Sequence, residues 1–147
     1  IATANFYSGK MAYDKGDFSR AYPALQNVTQ NVQSEMMAEA YHLQAQILYK
    51  QRKYTQAEDL ITEANKASAG YDDWIARNLI LVSDVYLEQG DKNSASAALE
   101  AVIENYKGED PTILATARQK YNKLGNAPAN NNATNKGGNF LEMDDKN

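Results

Sequence analysis

His42 is the residue around which conventional side-chain catalysis would have to be built. It is the single histidine of the 147 residues, and the chain contains no cysteine. A Ser-His-Asp triad is therefore possible only at His42, and the Gly-x-Ser-x-Gly nucleophile elbow is absent. The lack of cysteine also removes disulfides, thiolate metal sites and thiol nucleophiles. These residue types argue against nucleophilic catalysis.

The other chemically suggestive pairs have simpler structural interpretations. Glu39 and His42 have the Glu-x-x-His spacing of dimetal helical bundles, but those sites need two such pairs and further glutamates. His42 is therefore expected on the surface or in a groove. Asp72-Asp73 precede a predicted helix and are expected to cap it, while Gly9-Lys10 lacks the spacing of a phosphate-binding loop. We predict no enzyme activity, no cofactor and no bound metal.

Composition limits the remaining classes of function. The formal net charge is -4, and lysines and arginines are scattered among acidic residues, so nucleic acid is not the expected ligand. No apolar run reaches the roughly 18 residues of a membrane span, so no direct membrane insertion is expected. The start, Ile1 to Phe6, lacks the features of a signal peptide and is interpreted as a cut in a longer or processed protein.

A short motif occurs three times at nearly constant spacing. Residues 16–21 (GDFSRA), 52–57 (RKYTQA) and 90–95 (GDKNSA) align on their alanines, which are 36 and then 38 residues apart. Apolar residues at three- and four-residue steps flank each motif on both sides, which predicts two amphipathic helices per unit. Helical hairpins repeated at this period bury their apolar faces by stacking. The unit is therefore predicted to be helix, short turn, helix.

These units resemble the tetratricopeptide repeat (TPR) family in their small residues, turns and large apolar residues. The matching positions are Gly9, Gly16, Phe18, Ala21 and Leu25; Tyr41, Ala45, Tyr54, Ala57, Ile61 and Ala64; and Tyr86, Gly90, Ala95 and Leu99. Arg52 departs from the turn glycine and Lys92 from the turn aromatic. The resemblance implies an all-α fold, an α-α superhelix of three hairpins at about residues 2–35, 38–71 and 76–109.

A final helix and a tail are predicted after the repeats. Asp110-Pro111 is a strong helix start, with Asp as the N-cap and Pro at the first position. The helix over residues 111–125 is amphipathic and is predicted to cap the 1–125 repeat domain. Residues 126–147 are rich in Asn and Gly and are predicted to form a flexible tail. Within it, Phe140 to Asp145 is a docking peptide for another protein, a segment that folds back on the groove of this domain, or part of an unstructured terminus.

The TPR resemblance also implies a concave groove lined by the first helix of each hairpin. Tyr7, Tyr13 and Tyr49 are the preferred contacts, although packing between helices would explain these rings equally well. The Lys/Asn/Lys/Arg carboxylate clamp of chaperone-binding TPR domains is missing, so acidic chaperone tails are unexpected ligands. The predicted groove residues are Phe6, Tyr7, Lys10, Tyr13, His42, Gln46, Tyr49, Arg77 and Asp84, with Ile80 and Leu81 among the further inward positions.

Two functions follow from this resemblance. The first is a non-catalytic protein–protein interaction scaffold that binds a peptide or helix of a protein partner in the groove. The second is a structural end-cap of a longer TPR solenoid, with homotypic or intramolecular assembly and possible self-association through the N-terminal edge. Residues 71–77 and 98–106 resemble the last repeats of large bacterial envelope-associated TPR proteins. This favours the periplasm or cell envelope over the cytoplasm.

Overall fold

A computed structural model describes residues 1–125, and the predicted tail with its Phe140 to Asp145 cluster lies outside the described residues. The described part of the chain is built from α-helices joined by short turns, which confirms the all-α prediction. The helices are α1 Ala2–Asp14, α2 Phe18–Asn31, α3 Glu35–Lys50, α4 Tyr54–Ala67, α5 Asp72–Glu88, α6 Lys92–Asn105 and α7 Pro111–Lys123.

The three hairpin turns share one backbone geometry. Gly16, Arg52 and Gly90 have φ values of 77°, 63° and 81°, which lie in the left-handed region. In each turn the amide after this residue donates to a carbonyl five residues earlier, as in the Asp17 N to Ala12 O bond of 2.9 Å. Arg52 therefore adopts the backbone conformation that glycine adopts in the other two turns, despite its Cβ atom.

Small buried residues allow the two helices of each hairpin to approach closely. Gly9 of α1 is buried, and a Cβ atom placed there would lie 2.9 Å from Leu25 Cγ of α2. The corresponding positions in the next two repeats are Ala45 and Ser83, both fully buried. A larger side chain at any of them would force the helix backbones apart. The position of the predicted small residue is thus explained by packing.

The first helices of repeats two and three begin earlier than the predicted repeat boundaries at residues 38 and 76. They start at Glu35 and Asp72. The prediction that Asp72-Asp73 precede and cap α5 is wrong, because both residues lie in its first turn and Tyr71 occupies the N-cap. Asp73 Oδ1 instead accepts a 2.7 Å hydrogen bond from the Tyr106 hydroxyl. Both carboxylates still lie at the positive end of the helix dipole.

The helices form two layers of unequal spacing. In the described part of the chain, α1, α3, α5 and α7 each contact the next member of this series, whereas α2, α4 and α6 do not contact one another. The layer whose helices lie closer together is the inner, concave side of the stack. Helix α7 packs against α5 and α6, and its Asp110 N-cap accepts from the Thr112 amide at 2.9 Å, as predicted.

We predict that Arg52→Gly stabilises the fold by about 0.5–1 kcal/mol. Glycine removes the steric cost of a left-handed L-residue, about 1–2 kcal/mol, and this exceeds its additional unfolded-state entropy. Urea unfolding followed by circular dichroism measures the change. As the control, Gln51→Gly replaces a residue with φ of -85° and should destabilise the protein. Destabilisation by Arg52→Gly, or equal effects of the two changes, would contradict this account of the turn.

Candidate functional site

A cavity of about 300 Å³ opens on the inner layer between α3, α5 and α7. Its walls combine aliphatic, aromatic, amide and charged side chains from these three helices. The lining residues are His42, Gln46, Tyr49, Arg77, Ile80, Leu81, Asp84, Thr112, Ile113, Thr116 and Lys120. The volume lies at the lower end of the roughly 300–1,000 Å³ that ligand pockets occupy.

The cavity brings together the predicted groove residues of repeats two and three. His42, Gln46 and Tyr49 line it from α3, and Arg77 and Asp84 line it from α5. Their spacing of three, four and seven residues places each set on one face of its helix. The geometry therefore gathers these five side chains around one volume, while their role in binding stays a prediction.

The four predicted groove residues of α1 lie outside this cavity. Phe6 is 4% exposed and belongs to the core between the first hairpin and α3, so it offers little surface to a ligand. Lys10 lies 5.0 Å from the centre of the Phe6 ring and forms a 2.9 Å ion pair with Glu39. Tyr13 packs against Phe18, and Tyr7 is 56% exposed.

The charges that line the cavity are balanced by close partners. Arg77 Nη2 donates to Asp110 Oδ2 at 2.8 Å, and Lys120 Nζ lies 3.1 Å from Asp84 Oδ1. Hydrogen bonds from Thr112 lower the pKa of Asp110 most, and the Arg77 guanidinium lowers it further. Arg77 also stacks on the Trp74 ring at 4.4 Å. The two cations at the cavity therefore each face a carboxylate.

His42 is the innermost polar residue of the cavity and is held in one tautomer. Asn78 Nδ2 donates to Asn65 Oδ1 at 2.8 Å, which turns the Asn78 oxygen toward His42 Nδ1, 2.7 Å away. The Nδ1 atom therefore carries the proton, and Nε2 accepts from Gln46 Nε2 at 3.3 Å. Burial lowers the pKa of His42, and the Arg77 charge lowers it further, against opposing effects of Asn78 and Glu39.

A family comparison agrees with this hairpin architecture. The sequence model described as a tetratricopeptide repeat-like domain matches residues 2–128. The chain belongs to this tetratricopeptide repeat-like family. No curated protein and no solved structure matches the chain in the corresponding comparisons. Domains of this family are generally non-catalytic and commonly mediate protein–protein interactions.

Residues 1–125 contain no group of three or more His, Cys, Asp or Glu side chains arranged to hold a metal ion. The same residues contain no helix with the length and apolar character required to cross a membrane.

The contribution of α7 to the cavity was missed by the sequence interpretation of this TPR-like chain. Thr112, Ile113, Thr116 and Lys120 complete the wall opposite α3. Helix α7 was predicted only as a cap with one apolar face. Its contact with α5 also places it in the inner layer, where it takes the position of a first helix. The four-residue spacing of Thr112, Thr116 and Lys120 was the signal in the sequence.

We predict that the stability of this TPR-like domain falls below about pH 6.5 because of His42. Its pKa in the folded state is below the ordinary histidine value of 6.5, so the unfolded chain takes up a proton that the native state excludes. The stabilisation that depends on a neutral His42 is complete above pH 6.5, and it is lost as the pH falls toward the pKa of His42 in the folded state. The slope from one group is at most about 1.4 kcal/mol per pH unit.

Urea unfolding at several values between pH 5 and pH 8 tests this prediction with wild type and His42→Gln. The variant should show a flatter profile because glutamine does not titrate. Asp110 is common to both proteins, and its lowered pKa lies below this window. Parallel profiles would contradict a neutral, buried His42.

Proposed function

We propose that this chain is a non-catalytic scaffold that binds a peptide or helix of a protein partner on its inner layer. The main support is the cavity between α3, α5 and α7, because it is concave, partly apolar and lined by polar groups that fix orientation. Ile80, Leu81 and Ile113 supply apolar surface, and Tyr49 adds a ring with a hydrogen-bonding tip. Location at the bacterial cell envelope remains part of the proposal.

Tyr13 and Tyr49 form a matched pair for testing the groove. They occupy the same position in repeats one and two, and each packs against the aromatic that begins the following helix. The ring distances are 5.8 Å from Tyr13 to Phe18 and 5.9 Å from Tyr49 to Tyr54. Tyr49 lines the cavity and Tyr13 does not. Alanine at either position removes similar packing, but only Tyr49→Ala also removes part of the cavity wall.

We predict that Tyr49→Ala weakens partner binding at least about tenfold, as expected for loss of an aromatic anchor of roughly 1.4 kcal/mol or more. Tyr13→Ala should bind within about twofold of wild type. Photocrosslinking in cells with a probe at Gln46 identifies the partner, and titration of the purified pair gives the affinities. A probe at exposed Gln56 of α4 serves as the control position. Equal affinities for the two tyrosine variants would contradict binding in this cavity.

A second candidate function is structural and is favoured by the exposed face of α1. Ala4, Tyr7 and Met11 correspond in the repeat to Ala40, Leu43 and Ile47 of α3, which pack against the preceding hairpin. They correspond equally to Asn78, Leu81 and Val85 of α5, which are buried. In α1 this stacking face is open, with Tyr7 56% and Met11 58% exposed. It is therefore a surface on which another α-hairpin would stack, from the same polypeptide or a second copy.

If the second copy is the occupant, the contact should pair α1 with α1. The outer face of α7 carries exposed Arg118, Gln119 and Lys123 and is a poor apolar match. Two identical α1 faces give a two-fold, self-complementary contact. We predict concentration-dependent dimers that Met11→Lys weakens at least about tenfold, as measured by sedimentation velocity. Gln56→Lys adds the same charge away from this face and should have no effect. A wild type that is monomeric at all concentrations would contradict homotypic assembly.

A further inference from the structure

A chain of buried amides and imidazole leads from the core to the cavity. Asn65, Asn78 and His42 are 6%, 0% and 8% exposed, and hydrogen bonds connect them in this order to Gln46. Burying polar side chains costs free energy, which their mutual hydrogen bonds offset only in part. A structural requirement or a ligand must therefore explain why this interface between α3, α4 and α5 is polar.

The repeat itself provides a comparison for these positions. His42 corresponds to Phe6 in repeat one and to Ile80 in repeat three, and Asn78 corresponds to Ala4 and Ala40. Apolar residues thus occupy the equivalent positions of the same architecture, so stacking of the hairpins does not demand polar side chains there. The polar chain occurs at the interface where the cavity opens. Because the hydrogen-bonded polar residues and the cavity share this one interface, we relate the two to each other.

The hydrogen bonds determine which groups of this chain remain available to a ligand. Asn65 orients the Asn78 amide, and the Asn78 oxygen holds the His42 proton at Nδ1. The Nε2 lone pair then accepts one N–H of Gln46, which fixes the glutamine amide plane. The Gln46 carbonyl oxygen is left as an acceptor at the partly exposed end of the chain. Gln46 lines the cavity beside Tyr49 and above the apolar Ile80 and Leu81.

Resting on the proposed binding function, we infer that the cavity takes one uncharged apolar side chain of a peptide, and that Gln46 accepts a hydrogen bond from the adjoining main-chain N–H. The apolar wall suits an aliphatic or aromatic side chain. Because Arg77 and Lys120 already face Asp110 and Asp84, an added charge would meet no unpaired partner in the cavity. His42 and Asn78 are positioning residues that act through Gln46.

Small amides provide direct probes of this arrangement. N-acetyl-leucine N-methylamide carries the apolar side chain and the N–H of the amide that follows the leucine. The N,N-dimethylamide lacks that N–H, and both probes keep the N–H of the leucine itself. Binding to the full chain is followed by NMR titration of the Gln46 side-chain amide and the His42 imidazole. We expect millimolar dissociation constants, as for other ligands of this size, and about fivefold tighter binding of the methylamide. That ratio corresponds to one hydrogen bond of about 1 kcal/mol.

Variants separate positioning from general structural damage. Gln46→Ala should bind both probes equally, because the acceptor is gone. The double variant His42→Phe with Asn78→Ala installs residues from the equivalent positions of other repeats. It should remain folded, and it should also lose discrimination between the probes. Gln56→Ala removes an exposed glutamine outside the cavity and should retain the fivefold ratio.

Several outcomes would overturn the inference. These are tighter binding of N-acetyl-aspartate or N-acetyl-lysine amides than of the leucine probe, retained discrimination in Gln46→Ala, or no cavity-specific shifts at 20 mM probe, about tenfold above the expected dissociation constants. If the amide tests fail while Tyr49→Ala still weakens partner binding and Tyr13→Ala does not, the inference about ligand chemistry fails and the groove function stands. If Tyr49→Ala and Tyr13→Ala bind the partner equally, the groove function itself fails.

Discussion

The structure depends on one packing requirement, which is that an α-hairpin of this kind can bury its apolar faces only against a neighbouring hairpin. Close helix pairing inside each hairpin uses the small residues Gly9, Ala45 and Ser83. Stacking between hairpins then uses the opposite faces of the first helices, and α7 ends the described stack by packing on α5 and α6. The concave inner layer is a consequence of these two packing modes, because the first helices contact one another and the second helices do not.

The same requirement explains why the two proposed interaction surfaces lie in different repeats. The polar chain from Asn65 to Gln46 replaces apolar packing at one interface and lies beside the cavity, where hydrogen bonds join its four side chains in series. Asn65 Nδ2 is buried without a hydrogen-bond partner, so this polar packing still costs some stability. The first repeat has Phe6 in place of His42 and packs against Ala40 in place of Asn78, so it has no counterpart of this chain. Its own distinctive feature is the open stacking face of α1, which is a packing surface. The two proposed functions, groove binding and edge stacking, therefore use separate surfaces and are compatible.

Charge pairing gives the cavity a defined character. Ion pairs connect α5 to the N-cap of α7 and to its last turn, so α7 is fixed in position by Asp110 and Lys120 as well as by Ile113 and Ala117. Partly exposed ion pairs contribute modest stability, but they set the orientation of the side chains around the cavity. The pairing leaves amide, hydroxyl and aliphatic groups as the main sources of ligand specificity.

The amino-acid sequence by itself determined the helical hairpins, their turns and the cap at Asp110, because these depend on local periodicity and on interactions within a few residues. Arg52 adopts the turn conformation although it replaces glycine, since the flanking hydrogen bonds impose the left-handed conformation. The sequence also placed five cavity residues on the correct helices. Only the tertiary structure decided that Phe6 is buried in the core and that α7 forms a cavity wall. It alone joined His42 to Asn78, 36 residues away. Those outcomes depend on how separate hairpins stack, and no local pattern specifies the distance between them.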